Sequence, residues 1–114
     1  MLFTYQPKEI QVIDGDTHDI VLDLGFHITH KIRVRLKGIN APEMRTEAGK
    51  KSKQFVIDWL KENPLVVVKT IKDSKEKYGR YLAIILSDTL GTPATELNAA
   101  LVSSGNAVYK DYTQ

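Results

Sequence analysis

Three segments near the N-terminus alternate apolar and polar residues with a period of two. Residues 9–14 (EIQVID) run into Asp14-Gly15-Asp16, a tight-turn signature, and residues 18–24 (HDIVLDL) break at Gly25. Along residues 28–37 (ITHKIRVRLK), Ile32, Val34 and Leu36 fall on one face and Arg33, Arg35 and Lys37 on the other. Such a period sets one face against a core, and the short turns between segments predict three antiparallel strands in succession. From residue 47 the period changes. Ala48, Ser52, Phe55, Val56, Trp59 and Leu60 recur at three- and four-residue intervals. This predicts a helix over residues 47–62, with Thr46 as N-cap, Trp59 facing the core and Pro64 as the stop. The runs LVVVKTI (65–71) and YLAIILS (81–87) bracket the polar loop KDSKEKYGR and predict two more strands. Residues 94–104 predict a second amphipathic helix, with Ala94, Leu97, Ala100 and Leu101 inward and Gly105 at C′. Five strands with helices after the third and fifth describe an α+β, mainly β, domain. A five-stranded Greek-key barrel would close the edges that a flat sheet exposes.

Composition adds bounds to this picture. A chain of 114 residues with 42% hydrophobic residues is expected to form one domain, 1–114, around a real core. The absence of cysteine excludes a disulfide scaffold, a thiolate zinc site and thiol catalysis. Sixteen Lys+Arg against fourteen Asp+Glu give a net charge of +2, so the chain is neither a polycation nor an acidic tail. A nucleic-acid role would have to come from local charge placement. Lys50, Lys51 and Lys53 cluster on the predicted helix, where a solvated face is the expectation. No run approaches the ~18 apolar residues of a membrane span. The opening residues lack a basic start followed by an apolar run, so no secretory signal is expected. Both a cytoplasmic protein and a mature secreted form with a starting Met fit.

Three places carry candidate chemistry. Asp14-Gly15-Asp16-Thr17 serves either a hairpin turn or a hard-cation site, since Ca²⁺ prefers carboxylate and carbonyl oxygens. Arg35 lies on the polar face of its strand, with Asn40, Ala41, Pro42 and Glu43 in the turn that leaves it. This is either a solvated arginine and an ordinary loop or a phosphate-handling cluster. Lys77-Tyr78-Gly79-Arg80 either closes a turn or aims a guanidinium at an oxyanion, whose geometry its fork matches.

In this order, the strings VIDGDT (12–17), VRLKGINAPE (34–43), KYGRYLAIIL (77–86) and LNAALVSSGNA (97–107) resemble the staphylococcal nuclease (thermonuclease) family over nearly the whole chain. The resemblance implies an OB-fold barrel of five strands with two or three helices packed on it. It also implies a Ca²⁺-dependent phosphodiesterase that cuts DNA and RNA with low sequence specificity and leaves 3′-phosphates. By motif position, Asp16, Asn40 and the Ala41 carbonyl match metal ligands. Glu43 matches the general base, and Arg35 and Arg80 the arginines that bind the reacting phosphate. Tyr78 matches a substrate-binding tyrosine, and Asp14 and Thr17 support the metal turn. A monomer with no membrane partner is expected.

Two departures stand out. Asn40 replaces the family's usual aspartate, so a weakened Ca²⁺ site is expected. Only Met44 and Arg45 separate Glu43 from Thr46, where the type member has a long loop, so a more open or more rigid rim is expected. The alternative reading is an attenuated or non-catalytic nucleic-acid-binding module. His18, His27 and His30 are expected at the surface, because residues three apart in a strand face opposite ways. Tyr109 and Tyr112 offer rings for base stacking but take no family role.

Overall fold

The computed structural model describes residues 3–72, 81–88 and 95–110. Strands β1 (Thr4–Val12), β2 (Thr17–Asp23) and β3 (Thr29–Leu36) form an antiparallel meander, as the period-two pattern requires. After β4 (Ile39–Asn40) and α1 (Glu47–Glu62) come β5 (Val66–Lys72) and β6 (Tyr81–Ser87), then α2 (Leu97–Ser103) and β7 (Val108–Tyr109). The barrel closes in the order β1-β2-β3-β6-β5. Its one parallel seam sets Val34, Arg35 and Leu36 of β3 beside Tyr81, Leu82 and Ala83 of β6. This is the expected five-stranded OB-type barrel.

Some boundaries differ from the sequence pattern for local reasons. Strand β1 begins at Thr4, five residues before the expected start, and carries Pro7 inside it. The register shifts between Pro7 and Glu9, and such a bulge admits a residue that cannot donate to the ladder. Strands β4 and β7 pair Ile39 with Tyr109 and Asn40 with Val108. Two-residue strands carry no period, so pattern reading misses them.

Helix α1 starts where expected: the Thr46 side chain accepts the Gly49 N–H at 3.0 Å. Asn63 closes it, with its backbone N–H and its side-chain amide both donating to the Trp59 carbonyl at 2.9 Å. The inward face is Gly49, Ser52, Val56 and Trp59. Ala48, expected inward, is exposed, because the glycine next to it takes the tight contact with the loop below. Lys50 and Lys51 are exposed and Lys53 is half-buried. Helix α2 buries Leu97 and Leu101, with Ala100 partly buried. It ends in a Schellman motif: the Gly105 N–H donates to Val102 and the Asn106 N–H to Leu101, with Gly105 at φ +82°. Ala94 lies outside the described residues. The Asn98 side-chain amide donates to the carbonyls of Lys37 and Ala83, at 3.0 and 3.1 Å, and so ties α2 to the parallel seam.

The core includes Ile20, Val34, Leu36, Val56, Val68, Ile85, Leu97 and Leu101, each at most 1% exposed. His18 joins it, which corrects the expectation of a surface histidine. It stands on the inward side of β2 beside Val12 and Val34 and is 0% exposed. His27 and His30 are exposed as expected.

Neither ring nitrogen of His18 finds a hydrogen-bond partner among the described residues. Desolvation pushes its imidazole down from 6.5 to about 4. The folded protein therefore holds His18 neutral, while the unfolded chain takes up a proton as the pH falls through 6.5. Stability carried by the neutral ring is complete above pH 6.5 and declines as the pH drops toward 4. The loss approaches about 3 kcal/mol below that, or a melting shift on the order of 10 °C. His18→Val removes the titration and the unpartnered nitrogens. Melting curves between pH 4 and 8 should flatten for this variant relative to the wild type; equal slopes would mean that His18 is not the titrating group.

Candidate active site

The site begins where β1 turns into β2. The Asp14 side chain accepts the Asp16 N–H at 3.1 Å, an Asx turn, while the N–H groups of Ile13 and Asp14 donate to the Thr17 carbonyl. This turn packs directly onto α1. A Cβ on Gly15 would sit 2.0 Å from Ser52 Oγ and 2.8 Å from Ala41 Cβ, so only glycine allows the approach. Asp16 is only 7% exposed. Its Oδ2 accepts the Ala41 N–H at 2.9 Å, and its Oδ1 accepts the Thr17 hydroxyl at 3.2 Å.

Arg35, near the end of β3, lies across from Thr17 of β2 and Leu82 of β6. One Nη of its guanidinium donates to Asn40 Oδ1 at 2.7 Å and lies 3.6 Å from Asp16 Oδ2. The structure thus brings together Asp14, Asp16, Thr17, Arg35, Asn40 and Ala41, which come from two separate stretches of sequence. Strand β4 fixes Asn40 through its pairing with Val108. A cavity of about 190 Å³ opens beside it, lined by Asn40, Ala41 and Pro42 on one side and Gly105, Ala107 and Val108 on the other.

Electrostatics separate the two aspartates. Burial first, then hydrogen bonding with Asp16 and repulsion from it, push the Asp14 carboxyl above its ordinary value. Burial opposes ionisation of Asp16 too. Hydrogen bonds with Asp14 and the Ala41 N–H, together with the Arg35 charge, outweigh it and hold Asp16 below its ordinary value. Asp16 is therefore the stable anion, and Asp14 is the group that gains most from a nearby cation.

Glu43 is reached differently. Its carbonyl accepts both the Thr46 N–H, at 3.0 Å, and the Thr46 hydroxyl, at 2.6 Å. A Cβ on Gly49 would lie 1.9 Å from that same carbonyl oxygen. The first turn of α1 thus grips the Glu43 backbone, while the carboxylate stays exposed and pairs with Arg45 Nε at 2.6 Å. Gly49, Ser52 and Arg45 were not singled out by the sequence pattern as site residues. A glycine inside a helical repeat was the available signal, since it marks close approach of another backbone. Arg80 and Tyr78 lie outside the described residues, as does Tyr112; Tyr109 is exposed on β7.

Among the described residues, no three His, Cys, Asp or Glu side chains gather as a metal-holding group. The oxygens at the turn nevertheless suit a hard cation: two carboxylates, an amide oxygen and a backbone carbonyl. Repulsion from Asp16 helps push the Asp14 carboxyl up, and a cation held between them would offset that repulsion.

Residues 33–114 match the family model described as staphylococcal nuclease homologue, well over half of the chain. The chain belongs to the staphylococcal nuclease family. It is 28% identical over 113 residues to a protein named micrococcal nuclease from Shigella flexneri, an alignment covering 95% of this chain. It is 32% identical over 103 residues, 86% of this chain, to Protein ParB from Escherichia coli. The chain spans 60% and 53% of the lengths of these two relatives. The matched family model and the first of these relatives are both named for nucleases, which places the chain in a nuclease family.

Proposed function

We propose that this chain is a Ca²⁺-dependent phosphodiesterase that hydrolyses DNA and RNA with low sequence specificity and leaves 3′-phosphates. One observation carries the reading: Asp16, Arg35, Asn40 and Ala41 meet at one point, in a nuclease family, with Glu43 on the same loop. Asp16, the Asn40 amide oxygen and the Ala41 carbonyl would hold the cation, with Asp14 and Thr17 supporting the turn. Bound Ca²⁺ supplies positive charge beside the phosphate. Asn40 contributes no charge, so its affinity is expected to be low.

In the reaction, Arg35 and Arg80 bind the phosphate and Tyr78 contacts the substrate beside it. Glu43 takes a proton from a water that attacks phosphorus. The bond from phosphorus to the 5′-oxygen breaks, that oxygen takes a proton from solvent, and the 3′-phosphate remains. Negative charge grows on the phosphoryl oxygens during attack, and guanidinium donors already in place favour that state over the ground state. DNA and RNA both present this group, and none of these contacts reads a base.

Incubation with heat-denatured DNA is the direct test, with Ca²⁺ or with EDTA, followed by end-group analysis. Cleavage in Ca²⁺ alone, leaving 3′-phosphate ends, is expected. Tight oligonucleotide binding with no turnover in either condition would instead make the chain a binding module.

A further inference from the structure

Helix α1 buries one hydroxyl that bonds nothing in its own helix. Ser52 is 0% exposed, and among the described residues its Oγ has no hydrogen-bond partner. A serine inside a helix ordinarily turns to solvent or bonds the carbonyl four residues back. Ser52 does neither. A hydroxyl taken out of water and left unpaired lowers stability, and serine forms helix less readily than alanine. Alanine at this position would therefore fold better. An unpaired buried group beside a functional turn is the kind of stability loss that activity, not folding, explains.

The hydroxyl points at the acidic turn. An ideal Cβ on Gly15 would meet Ser52 Oγ at 2.0 Å and Ser52 Cβ at 3.0 Å, so the oxygen is the atom of the helix closest beneath the turn. The same Cβ would lie 2.8 Å from Ala41 Cβ. Ser52 thus stands where the two stretches of the site converge. On one side is Asp14-Gly15-Asp16; on the other is Ala41, whose N–H donates to Asp16 Oδ2 at 2.9 Å. Three residues earlier on the same helix face, Gly49 lies against the Glu43 carbonyl. One face of α1 therefore underlies both the oxygens suited to a cation and the loop of Glu43.

We propose that Ser52 is a positioning residue for the cation site: its hydroxyl is the spacer that holds the Asp14-Gly15-Asp16 turn in place against Ala41, so that the Asp16 carboxylate and the Ala41 carbonyl can serve one cation. Ligand oxygens must be held within about half an ångström of their working geometry to keep a metal ion. Alanine in place of Ser52 leaves a gap one oxygen atom deep beneath Gly15. The turn then settles into the gap or moves above it, and either way the carboxylates lose their fixed placement beside Ala41. The inference rests on the cation reading above and deepens it, because the helix, not the turn alone, sets the affinity of the site.

Ser52→Ala is the test, because stability and cation affinity should move in opposite directions. The variant should melt roughly 3–10 °C higher, since it sheds an unpaired hydroxyl. It should also bind Ca²⁺ about 10-fold more weakly, read from the amide resonances of Asp16 and Ala41 as Ca²⁺ is added to the whole chain without substrate. The Ca²⁺ concentration for half-maximal cleavage should rise by the same factor. Gly15→Ala gives a second reading. Gly15 has no positive φ, so what that variant loses is the steric fit alone. In its background, Ser52→Ala removes the 2.0 Å contact and should restore part of the Ca²⁺ affinity, the reverse of its effect in wild type. Wild-type Ca²⁺ affinity in Ser52→Ala overturns the proposal and leaves the nuclease reading standing. So does a Ser52→Ala protein that melts lower and binds more weakly, which makes Ser52 an ordinary core residue whose loss loosens the fold. Wild-type resonances that ignore Ca²⁺ remove the cation reading itself, and the proposal with it.

Discussion

Arg35→Ala is expected to lower kcat/KM on single-stranded DNA by about 10²–10³-fold while the protein remains folded. The side chain is partly exposed, at 27%, so its removal opens no large cavity. What is lost is the guanidinium that links Asn40 to Asp16, with contacts of 2.7 and 3.6 Å. Two consequences follow from that position. A phosphate loses a donor that was already oriented before substrate arrived, the kind of contact that strengthens as charge develops on the phosphoryl oxygens. Asp16 also loses one of the influences holding its carboxyl down, so the variant should require a higher pH to bind Ca²⁺. Arg35→Lys keeps the charge but not the fork and should recover only part of the rate. Steady-state kinetics with a melting curve for each variant decide the matter. An Arg35→Ala enzyme within a few-fold of wild type would remove Arg35 from the phosphate.

The parts of the molecule that were legible in the sequence are those governed by periodicity. Ile32, Val34 and Leu36 against Arg33, Arg35 and Lys37 announced both the inward face of β3 and the outward placement of Arg35. Thr46 and Gly105 announced the ends of the two helices through backbone chemistry alone. What escaped was set by contacts between distant segments. β4 exists because residues 108–109 return to it, and no local pattern encodes that pairing. The spacing that puts His27 and His30 on the surface does not reach His18, whose place beside Val12 and Val34 on the inward side of β2 is decided by the barrel. The acidic turn was visible as a string. Its attachment to α1 was not, because the contact of Gly15 with Ser52 joins residues far apart in the chain.

Glu43→Gln is expected to lower kcat by about 10²–10⁴-fold with little change in KM, because an amide cannot accept the proton of the attacking water. The geometry around Glu43 adds a companion test. Among the described residues its exposed carboxylate pairs with Arg45 through an exposed ion pair, an interaction of small energetic weight. Its backbone, in contrast, is held firmly: Thr46 donates to its carbonyl twice, and Gly49 lets α1 close against that oxygen. Precision at the carboxylate must therefore come from the backbone. Gly49→Ala isolates this point. In an ordinary helix the change stabilises by about 1 kcal/mol. Here the new Cβ would meet the Glu43 carbonyl at 1.9 Å, so the loop must shift and the helix gain is spent on that displacement. Gly49→Ala should thus fall in kcat with KM nearly unchanged, melt no higher than wild type, and add little further loss in the Glu43→Gln background. That non-additivity is the decisive reading, since two residues acting through one carboxylate cannot both cost their full amount. A Gly49→Ala protein that melts higher and cuts at the wild-type rate would show that α1 does not position Glu43, and a fully active Glu43→Gln would take the proton-accepting role from Glu43 altogether.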